Sequence, residues 1–362
     1  MSNDVPWFER IRKRPGMYVG PTDQSAVCRL IWDAIDEAVD TAINGSCRRI
    51  SISIHPDCSL TIAYDGIYPE TLAPDPRTAL TDMATQYGWQ PHWRLAPIPV
   101  INALAEHLTL DVFTGTHHFH QRFRGGQPIS SVKDAGSTTI RGRRLHFVPD
   151  RAFVSNLHEL STYALLGHLR TVATLAPHVR GQFSDERMPL VSEFNYHEGI
   201  RSYLIEQDYE QDSHPQRPIY CTKADKHIAA EVAFHWCNRG LTSISSYVNW
   251  RATPEGGSHV AGFWRGLAHS LDHYARQQEL FQADIPTLHR RQVPQPLTAI
   301  IAVRVDPPKY RDASRNILHD PLVKTFVDQM LQEQLPAQFE ADPSFVAQWA
   351  ERHAWFIRDK ES

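Results

Sequence analysis

Apolar residues recur at helical spacing between Asp23 and Asn44. The apolar positions are Val27, Leu30, Ile31, Ile35, Val39, Ala42 and Ile43. Residues at this spacing share one face of a helix, and Asn44-Gly45 is a pair that commonly ends one. The pattern therefore predicts an amphipathic helix over residues 23–44.

Two segments with alternating apolar and polar residues follow, Arg49–Ile54 and Ser59–Tyr64. Pro56-Asp57 separates them, and Asp65-Gly66 follows the second. Alternation bounded by turn residues is typical of strands that are buried on one side. We therefore predict a β-hairpin that ends in an acidic turn.

Prolines dominate the next stretch, at positions 69, 74, 76, 91, 97 and 99. Proline lacks the amide donor that a helix interior needs, so we expect mostly irregular structure with one short helix near Arg77–Tyr87. A long loop of this kind is typical of a lid over a site.

The remaining pattern predicts elements of both kinds. Helices are expected over Val100–His107, Asn156–Thr174, Ser258–Gln278 and Leu322–Gln334, and strands over Leu108–Thr114, His118–Arg124, Arg143–Phe147, Ile228–Trp236, Ser243–Asn249 and Leu297–Val305. A polar, glutamine-rich segment at 206–217 divides the chain into domains 1–210 and 211–362. We expect the first to be α+β, with helices on a mixed sheet, and the second to be a split β-α-β domain.

The composition narrows the class of protein. The chain has 362 residues, 41% of them hydrophobic and 22% charged, with a formal net charge of −4. This length suits two globular domains, and the charge does not indicate a protein that coats nucleic acid. The sequence shows no signal peptide and no apolar run of about 18 residues, so we expect a cytoplasmic protein without a membrane partner. Five cysteines without a CxxC pair indicate reduced thiols.

Two clusters raise the question of a further site. His117, His118 and His120 lie in a strand-turn-strand pattern without a carboxylate or cysteine at ligand spacing, so no metal site is expected there. The arginines of the segment 141–144 are expected to form a solvated face, with a local contact to phosphate as the alternative.

Five sequence segments are specific enough to indicate a resemblance to a known protein family. They are RKRPGMYVG at 12–20, IDEAVDTAINGSC at 35–47, FNYHEGI at 194–200, YVNWRATPEGGSHVAGF at 247–263, and the segment 297–310. In this order and spacing they resemble the B subunits of DNA gyrase and topoisomerase IV, which are type IIA topoisomerases. The resemblance implies an ATPase-like domain of the Bergerat (GHKL) type, followed by a transducer domain of the ribosomal-protein-like split β-α-β type.

The resemblance also assigns residues to a nucleotide site. The family's water-polarising glutamate aligns with Asp33, and its magnesium-ligating asparagine aligns with Glu37. Asp65-Gly66 takes the place of the adenine-binding aspartate and the glycine after it, and Arg143 takes the place of the threonine that supports that aspartate. The other expected nucleotide-binding positions are Tyr18 of the dimer arm, Asp36, Asp40, Pro69 and Asn102, with Arg315 at the position of the switch lysine. Without the family context, the acids of residues 33–40 would be a solvated helix face.

Several of these positions depart from the family pattern. Asp33 is one methylene shorter than glutamate, which moves its carboxylate roughly 1.5 Å away from a water that must lie within about 3 Å. Glu37 adds a negative charge beside a triphosphate. The segment Leu95–Pro99 replaces a glycine-rich lid, and Ala313-Ser314-Arg315 replaces a Gln-Thr-Lys loop. We therefore expect weak or absent binding of ATP and Mg²⁺ and impaired hydrolysis.

Three functions remain open at this point. The first is a binding module or modulator of a type II topoisomerase or of DNA, as a homodimer or as a heterodimer with a gyrase B or topoisomerase IV subunit. The second is a slow ATP-dependent dimerising clamp with a separate toprim or DNA-cleaving partner. The third is a site for a different small ligand. The sequence ends at Ser362, where the family continues into a toprim domain, so we expect this chain not to supply the metal half of a DNA cleavage site.

Overall fold

The chain forms two compact units, Met1–His197 and Glu198–Ser362. The computed structural model describes residues 6–20, 22–43, 47–66, 76–85, 89–90, 94–95, 97–154, 160–207, 213–237, 240–281, 287–290, 293, 296–311, 315–343 and 346–347. The domain boundary that the sequence predicts between residues 210 and 211 stays a prediction.

The first unit contains helices and strands in mixed order. Its helices are α1 (Trp7–Lys13), α2 (Gly16–Val19), α3 (Gln24–Ile43), α4 (Pro76–Thr85), α5 (Pro97–Leu104) and α6 (Thr162–Leu175). Its strands are β1 (Arg49–Ile54), β2 (Leu60–Tyr64), β3 (Trp89–Gln90), β4 (Arg94–Leu95), β5 (Ala105–Thr114), β6 (His117–Arg124), β7 (Gln127–Pro128), β8 (Lys133–Ser137), β9 (Arg141–Pro149), β10 (Arg180–Asp185) and β11 (Leu190–Phe194).

A mixed sheet runs through this unit in the order β11-β10-β1-β2-β9-β5-β6-β7, with β8 also paired to β6. The β1–β10 pair is parallel and the other pairs are antiparallel. Alternate residues of β1, β2 and β9 are buried, as expected for a sheet covered by helices on one face. The covered face holds residues such as Ile52, Ile62 and Leu145, which the register places side by side.

The described part of the second unit contains a smaller sheet and helices on it. Its elements are α7 (Ile200–Gln207), β12 (Ser213–Ala224), β13 (Ile228–Cys237), β14 (Ser243–Val248), β15 (Arg251–Ala252), α8 (Ser258–Gln277), β16 (Leu297–Val305) and α9 (Pro321–Ala341). The strand order is β12-β13-β16-β14-β15, and α8 is the crossover between the parallel strands β14 and β16. Two glycines of α8, Gly262 and Gly266, let this helix approach the backbone of α9.

Most long periodic segments agree with the sequence prediction. The helix predicted at 23–44 is α3, the hairpin is β1 and β2, and the predicted helix at 258–278 is α8. The Asn44-Gly45 cap lies outside the described residues. All five cysteines are free and buried, as expected for thiols. Among the helices that the structure describes, none combines the length and the hydropathy needed to cross a bilayer.

Three predictions about individual elements were wrong. The helix predicted at 100–107 begins at Pro97, because prolines in the first turn of a helix remove donors that have no partner within the helix. The helix predicted at 156–174 begins at Thr162, after Ser161 accepts a hydrogen bond from the Ala164 amide. The prediction also lacked strand β12, which begins at Ser213 within the polar segment 206–217.

Candidate functional site

The acids of α3 lie in different environments. Asp36 is fully buried and accepts a hydrogen bond from His168 Nε2 on α6 at 3.0 Å. Asp33 and Glu37 are half-buried, and the side chain of Asp40 lies outside the described residues. A solvated acidic face is therefore wrong for Asp36, which joins two helices beneath the surface.

Glu37 pairs with a buried arginine that comes from the sheet. Arg143 Nη1 on β9 lies 3.1 Å from Glu37 Oε1, and the same nitrogen donates to the Tyr64 hydroxyl on β2 at 3.1 Å. The arginine side chain is 4% exposed, whereas that of Glu37 is 31% exposed. The solvated arginine face expected from the sequence is therefore wrong for Arg143. These three residues form the buried cluster Glu37–Arg143–Tyr64.

The strand register explains how the cluster forms. Tyr64 lies directly opposite Arg143, and both project from the helix-covered face of the sheet because they alternate in step with buried residues such as Ile62 and Leu145. A guanidinium at this depth needs a charged partner, since an unpaired buried cation is strongly unfavourable. Glu37 supplies that partner from the overlying helix.

Tyr64 takes part in the cluster as a neutral hydroxyl. Burial raises the pKa of the Tyr64 hydroxyl well above its ordinary value, and the nearby charge of Arg143 only partly opposes this effect. The guanidinium of Arg143 also lies 5.8 Å from the centroid of the Tyr64 ring. The tyrosine therefore offers the arginine both a hydrogen-bond acceptor and an aromatic face.

Asp65 faces a different part of the unit from the cluster. Its carboxylate accepts hydrogen bonds from the backbone amides of Arg48 at 2.7 Å and Arg49 at 2.8 Å, and the residue is exposed. Gly66 beside it is buried. The geometry thus shows Asp65 fixing the start of β1, and it does not bring this carboxylate to Glu37 or Arg143.

The start of α5 lacks two of the amide groups that a helix normally presents. Pro97 and Pro99 occupy the first and third positions of α5, and every residue of this helix is buried. A helix N-terminus binds anions through its free N–H groups, and proline has none. Asn102, further along α5, is also buried and donates from Nδ2 to the Ala84 carbonyl at 2.9 Å.

The N-terminal segment is fixed to its own unit by Arg12. This side chain donates to the Ala103 carbonyl at 2.8 Å and to Asp150 at 2.6 Å. Its guanidinium also lies 4.8 Å from the centroid of the Phe153 ring. Tyr18 on α2 is half-buried. The segment RKRPGMYVG therefore makes structural contacts within a single chain.

The remaining predicted residues lie in the second unit or outside the described residues. Arg315 is exposed and has a φ of 60°. Pro69, Ala313 and Ser314 lie outside the described residues. Of the predicted set, the structure brings Glu37 and Arg143 into contact. The sequence prediction missed Tyr64 and His168, although alternation with Leu60 and Ile62 already placed Tyr64 on the inward face of its strand.

Comparisons with known proteins find similarity over nearly the full length of this chain. The DNA gyrase B family model matches residues 199–355. The DNA gyrase B protein of Halalkalibacterium halodurans is 29% identical over 341 residues, which cover 90% of this chain and 53% of the relative. The B subunit of the type 2 topoisomerase of Aquifex aeolicus is 28% identical over 350 residues, covering 93% of this chain and 44% of the relative. The chain thus spans about half the length of the curated relatives it matches.

Solved structures show the same fold. The 43K ATPase domain of Thermus thermophilus gyrase B, solved in complex with an aminocoumarin, superposes with a TM-score of 0.85 at 24% identity, covering 98% of this chain and 95% of that one. The topoisomerase IV ATP-binding domain of Francisella tularensis gives a TM-score of 0.77 at 20% identity, covering 99% and 98% of the two chains. The chain therefore has the same fold as these two solved structures.

Proposed function

Because this chain is a relative of the B subunits of DNA gyrase and topoisomerase IV over their ATPase and transducer region, we propose that it is a gyrase B-like module with impaired or absent ATP hydrolysis. Its role in this proposal is to bind or modulate a type II topoisomerase or its DNA. The chain keeps the fold of the region, and several positions that the resemblance assigns to the nucleotide site carry residues that depart from the family pattern.

The cluster Glu37–Arg143–Tyr64 carries the proposal. By the resemblance, Glu37 stands where the family ligates magnesium, and Arg143 stands where the family supports adenine recognition. Here the two side chains bind each other at 3.1 Å. Freeing Glu37 for a metal would break an ion pair of a buried guanidinium, which is unfavourable. The pair therefore competes with both inherited roles.

The start of α5 supports the same proposal. The resemblance places a phosphate-cradling loop and helix N-terminus at this point. Pro97 and Pro99 remove two amide donors there, and the side chains of the first turn are buried. The residues that the structure describes do not fit a magnesium–triphosphate complex in the manner of the family, so no catalytic step is assigned to them.

The ATPase rate tests this proposal. Loss of a well-placed general base alone typically lowers a rate by roughly 10²–10⁴-fold. We expect the purified chain to hydrolyse ATP at least about a hundredfold more slowly than a matched gyrase B fragment. A magnesium-dependent, saturable rate near that of the fragment, which disappears in Asp33→Ala, would overturn the proposal.

A slow ATP-dependent clamp is the second candidate. Asp33 retains a half-buried carboxylate one helical turn before Glu37, and Arg315 retains an exposed cation at the switch position. These residues could support residual turnover. A rate that is small but abolished by both Asp33→Ala and Arg315→Ala would favour the clamp, whereas a background rate unchanged by either substitution favours the binding module.

The proposed partner is a second copy of the chain or a gyrase B or topoisomerase IV subunit. The chain retains the N-terminal segment and the second unit that correspond to assembly regions of the family. Sedimentation velocity of the chain alone, and mixed with a gyrase B subunit, measures the assembly directly. We expect a dimer or a mixed complex without nucleotide. A single monomeric species under every condition would remove this part of the proposal.

A further inference from the structure

The sheet of the first unit has an open face on the side opposite its helices. In β5, Leu108, Leu110 and Val112 point toward the helices and are buried. Asp111 alternates with them and therefore projects from the other face. His120 lies directly opposite Asp111 on the neighbouring strand β6, and His118 is two residues from it on the same face. The hairpin thus brings one carboxylate and two imidazoles together.

The three side chains lie close enough to share one ion. One ligand atom from each residue can be chosen so that all three atoms lie within 4.8 Å of one another. Nε2 of His118 and Oδ1 of Asp111 are 2.6 Å apart. Two ligands of a zinc ion at about 2.0–2.2 Å lie roughly 3 Å apart, so only small side-chain rotations are needed.

Neighbouring side chains hold these groups in place. Arg144 donates from Nε to the second oxygen of Asp111 at 3.0 Å, which leaves Oδ1 directed at His118. Phe113 stacks on the His118 ring, with 4.4 Å between the ring centroids. Asp111 is 4% exposed, so its carboxylate is held among these partners rather than in bulk solvent. Ordered outer contacts of this kind orient the ligands of protein metal sites.

We propose that Asp111, His118 and His120 bind a divalent transition metal, with Zn²⁺ as the best match. Two imidazoles and one carboxylate are the ligand types that zinc prefers, whereas Mg²⁺ prefers oxygen ligands alone. Three protein ligands leave at least one position for water or another ligand. The ion would lie between Nε2 of His118 and Oδ1 of Asp111 in place of the proton there, and the neutral imidazole ring would carry its proton on Nδ1.

This site goes beyond the proposed function and is independent of it. Arg143 projects toward the helices, and its neighbour Arg144 projects toward the open face, so the buried cluster and the histidine site lie on opposite sides of the sheet. No spacing along the chain indicated the site, because Asp111 lies outside the histidine triplet. Only the antiparallel register brings the carboxylate to the two imidazoles.

Zinc titration of the full chain tests the proposal. The protein is stripped with a chelator, dialysed, and titrated with Zn²⁺ in competition with a chromophoric chelator. We expect one equivalent to bind with a Kd below about 1 μM, and we expect His120→Ala and His118→Ala each to weaken that equivalent by at least about tenfold. His107→Ala is the matched control, because His107 is an exposed histidine of the same strand pair. This variant should bind zinc as tightly as the unmodified protein.

A spectroscopic readout separates this site from other histidines. Co²⁺ bound by the three residues should give a visible absorption band that is lost in His120→Ala and Asp111→Asn and kept in His107→Ala. Circular dichroism of each variant confirms that the fold is intact. Zinc affinity and cobalt spectra that are the same in all folded variants, or no zinc binding in the micromolar range, would overturn the proposal whatever the ATPase result.

Discussion

At the residue scale, the buried charge of Arg143 requires an acidic partner inside the first unit, and Glu37 is such a partner. Glu37 and Arg143 are 106 residues apart in sequence, and they meet because the fold brings α3 to the start of β9. The sequence showed an acid and a base at unusual positions but could not show that they pair, since pairing depends on strand register and helix placement. The burial of Arg143 determines how much the ion pair contributes to stability, because a guanidinium that is 4% exposed has little access to water.

Breaking this pair from one side should destabilise the first unit. We expect Glu37→Ala to lower the free energy of unfolding by at least about 2 kcal/mol, because Arg143 stays buried while it loses the ion pair with Glu37. The exposed pair Arg180–Glu193 in the same sheet is the control, and Glu193→Ala should cost less than about 1 kcal/mol. Urea unfolding of both variants measures the difference. Equal, small effects would show that the buried pair contributes no more than a surface pair.

His259 gives the second unit a dependence on pH. This residue is fully buried at the start of α8, and its Nε2 lies 3.2 Å from Thr253 Oγ1. Burial lowers the pKa of His259 from 6.5 to about 4. Between these two values the unfolded chain takes up a proton that the folded chain does not. The stability of this unit should therefore fall as the pH drops from about 6.5 to about 4, by about 3 kcal/mol in total.

His259→Gln tests this pH dependence while keeping a hydrogen-bonding group near Thr253. Hydrogen exchange of peptides from α8 and β16, measured at several pH values, reports the stability of the second unit alone. The unmodified chain should lose protection below about pH 6.5 more steeply than the variant does. Parallel pH profiles for the two proteins would show that His259 does not cause the loss.

At the element scale, long periodic segments were predictable with their ends, whereas the ends of proline-rich and polar segments were not. The bounds of α3, β1 and β16 follow from apolar spacing alone. The start of α5 did not, because Pro97 and Pro99 were interpreted as helix breakers although the first helical turn tolerates proline. The strand β12 was missed because its first residues are polar. These errors have one physical origin: caps and edge strands depend on neighbours that sequence periodicity does not contain.

Close packing of α8 on α9 explains the glycines Gly262 and Gly266 within α8. A Cβ added to Gly262 would lie 2.5 Å from the Lys324 carbonyl oxygen of α9. We expect Gly262→Ala to destabilise the second unit by about 1–3 kcal/mol, because the helices must separate. Gly167→Ala on α6 is the matched control, since a Cβ there meets nothing within 4 Å. Thermal unfolding should show a lower Tm for the first variant and an equal or higher Tm for the second.

A higher Tm for Gly262→Ala would contradict the close approach of α8 and α9. The control matters because alanine is the better helix former at both positions, so propensity alone predicts stabilisation in both. Opposite signs for the two variants therefore isolate the packing effect.

At the scale of the whole molecule, the family motifs predicted a mixed α+β fold, and the solved structures confirm that fold. The motifs did not predict which residues the side chains contact at the positions that the resemblance assigns to the nucleotide site. The resemblance placed Asp65 at the adenine contact, whereas the structure shows its carboxylate holding the Arg48 and Arg49 amides. A resemblance in sequence assigns Asp65 to a position in the family pattern. The direction of its side chain depends on the local backbone at the end of β2, which the sequence does not give. The assignment of Asp65 to adenine therefore stays a prediction.

We propose that Glu37 and Arg143 bind each other in place of a magnesium nucleotide. Isothermal titration of the full chain with a non-hydrolysable ATP analogue and Mg²⁺ tests it most directly. We expect no saturable binding below about 1 mM, which corresponds to about −4 kcal/mol. Arg180→Ala, at the exposed pair, should behave in the same way. Saturable one-site binding in the micromolar range by the unmodified chain, lost on substitution of Glu37, would contradict the claim.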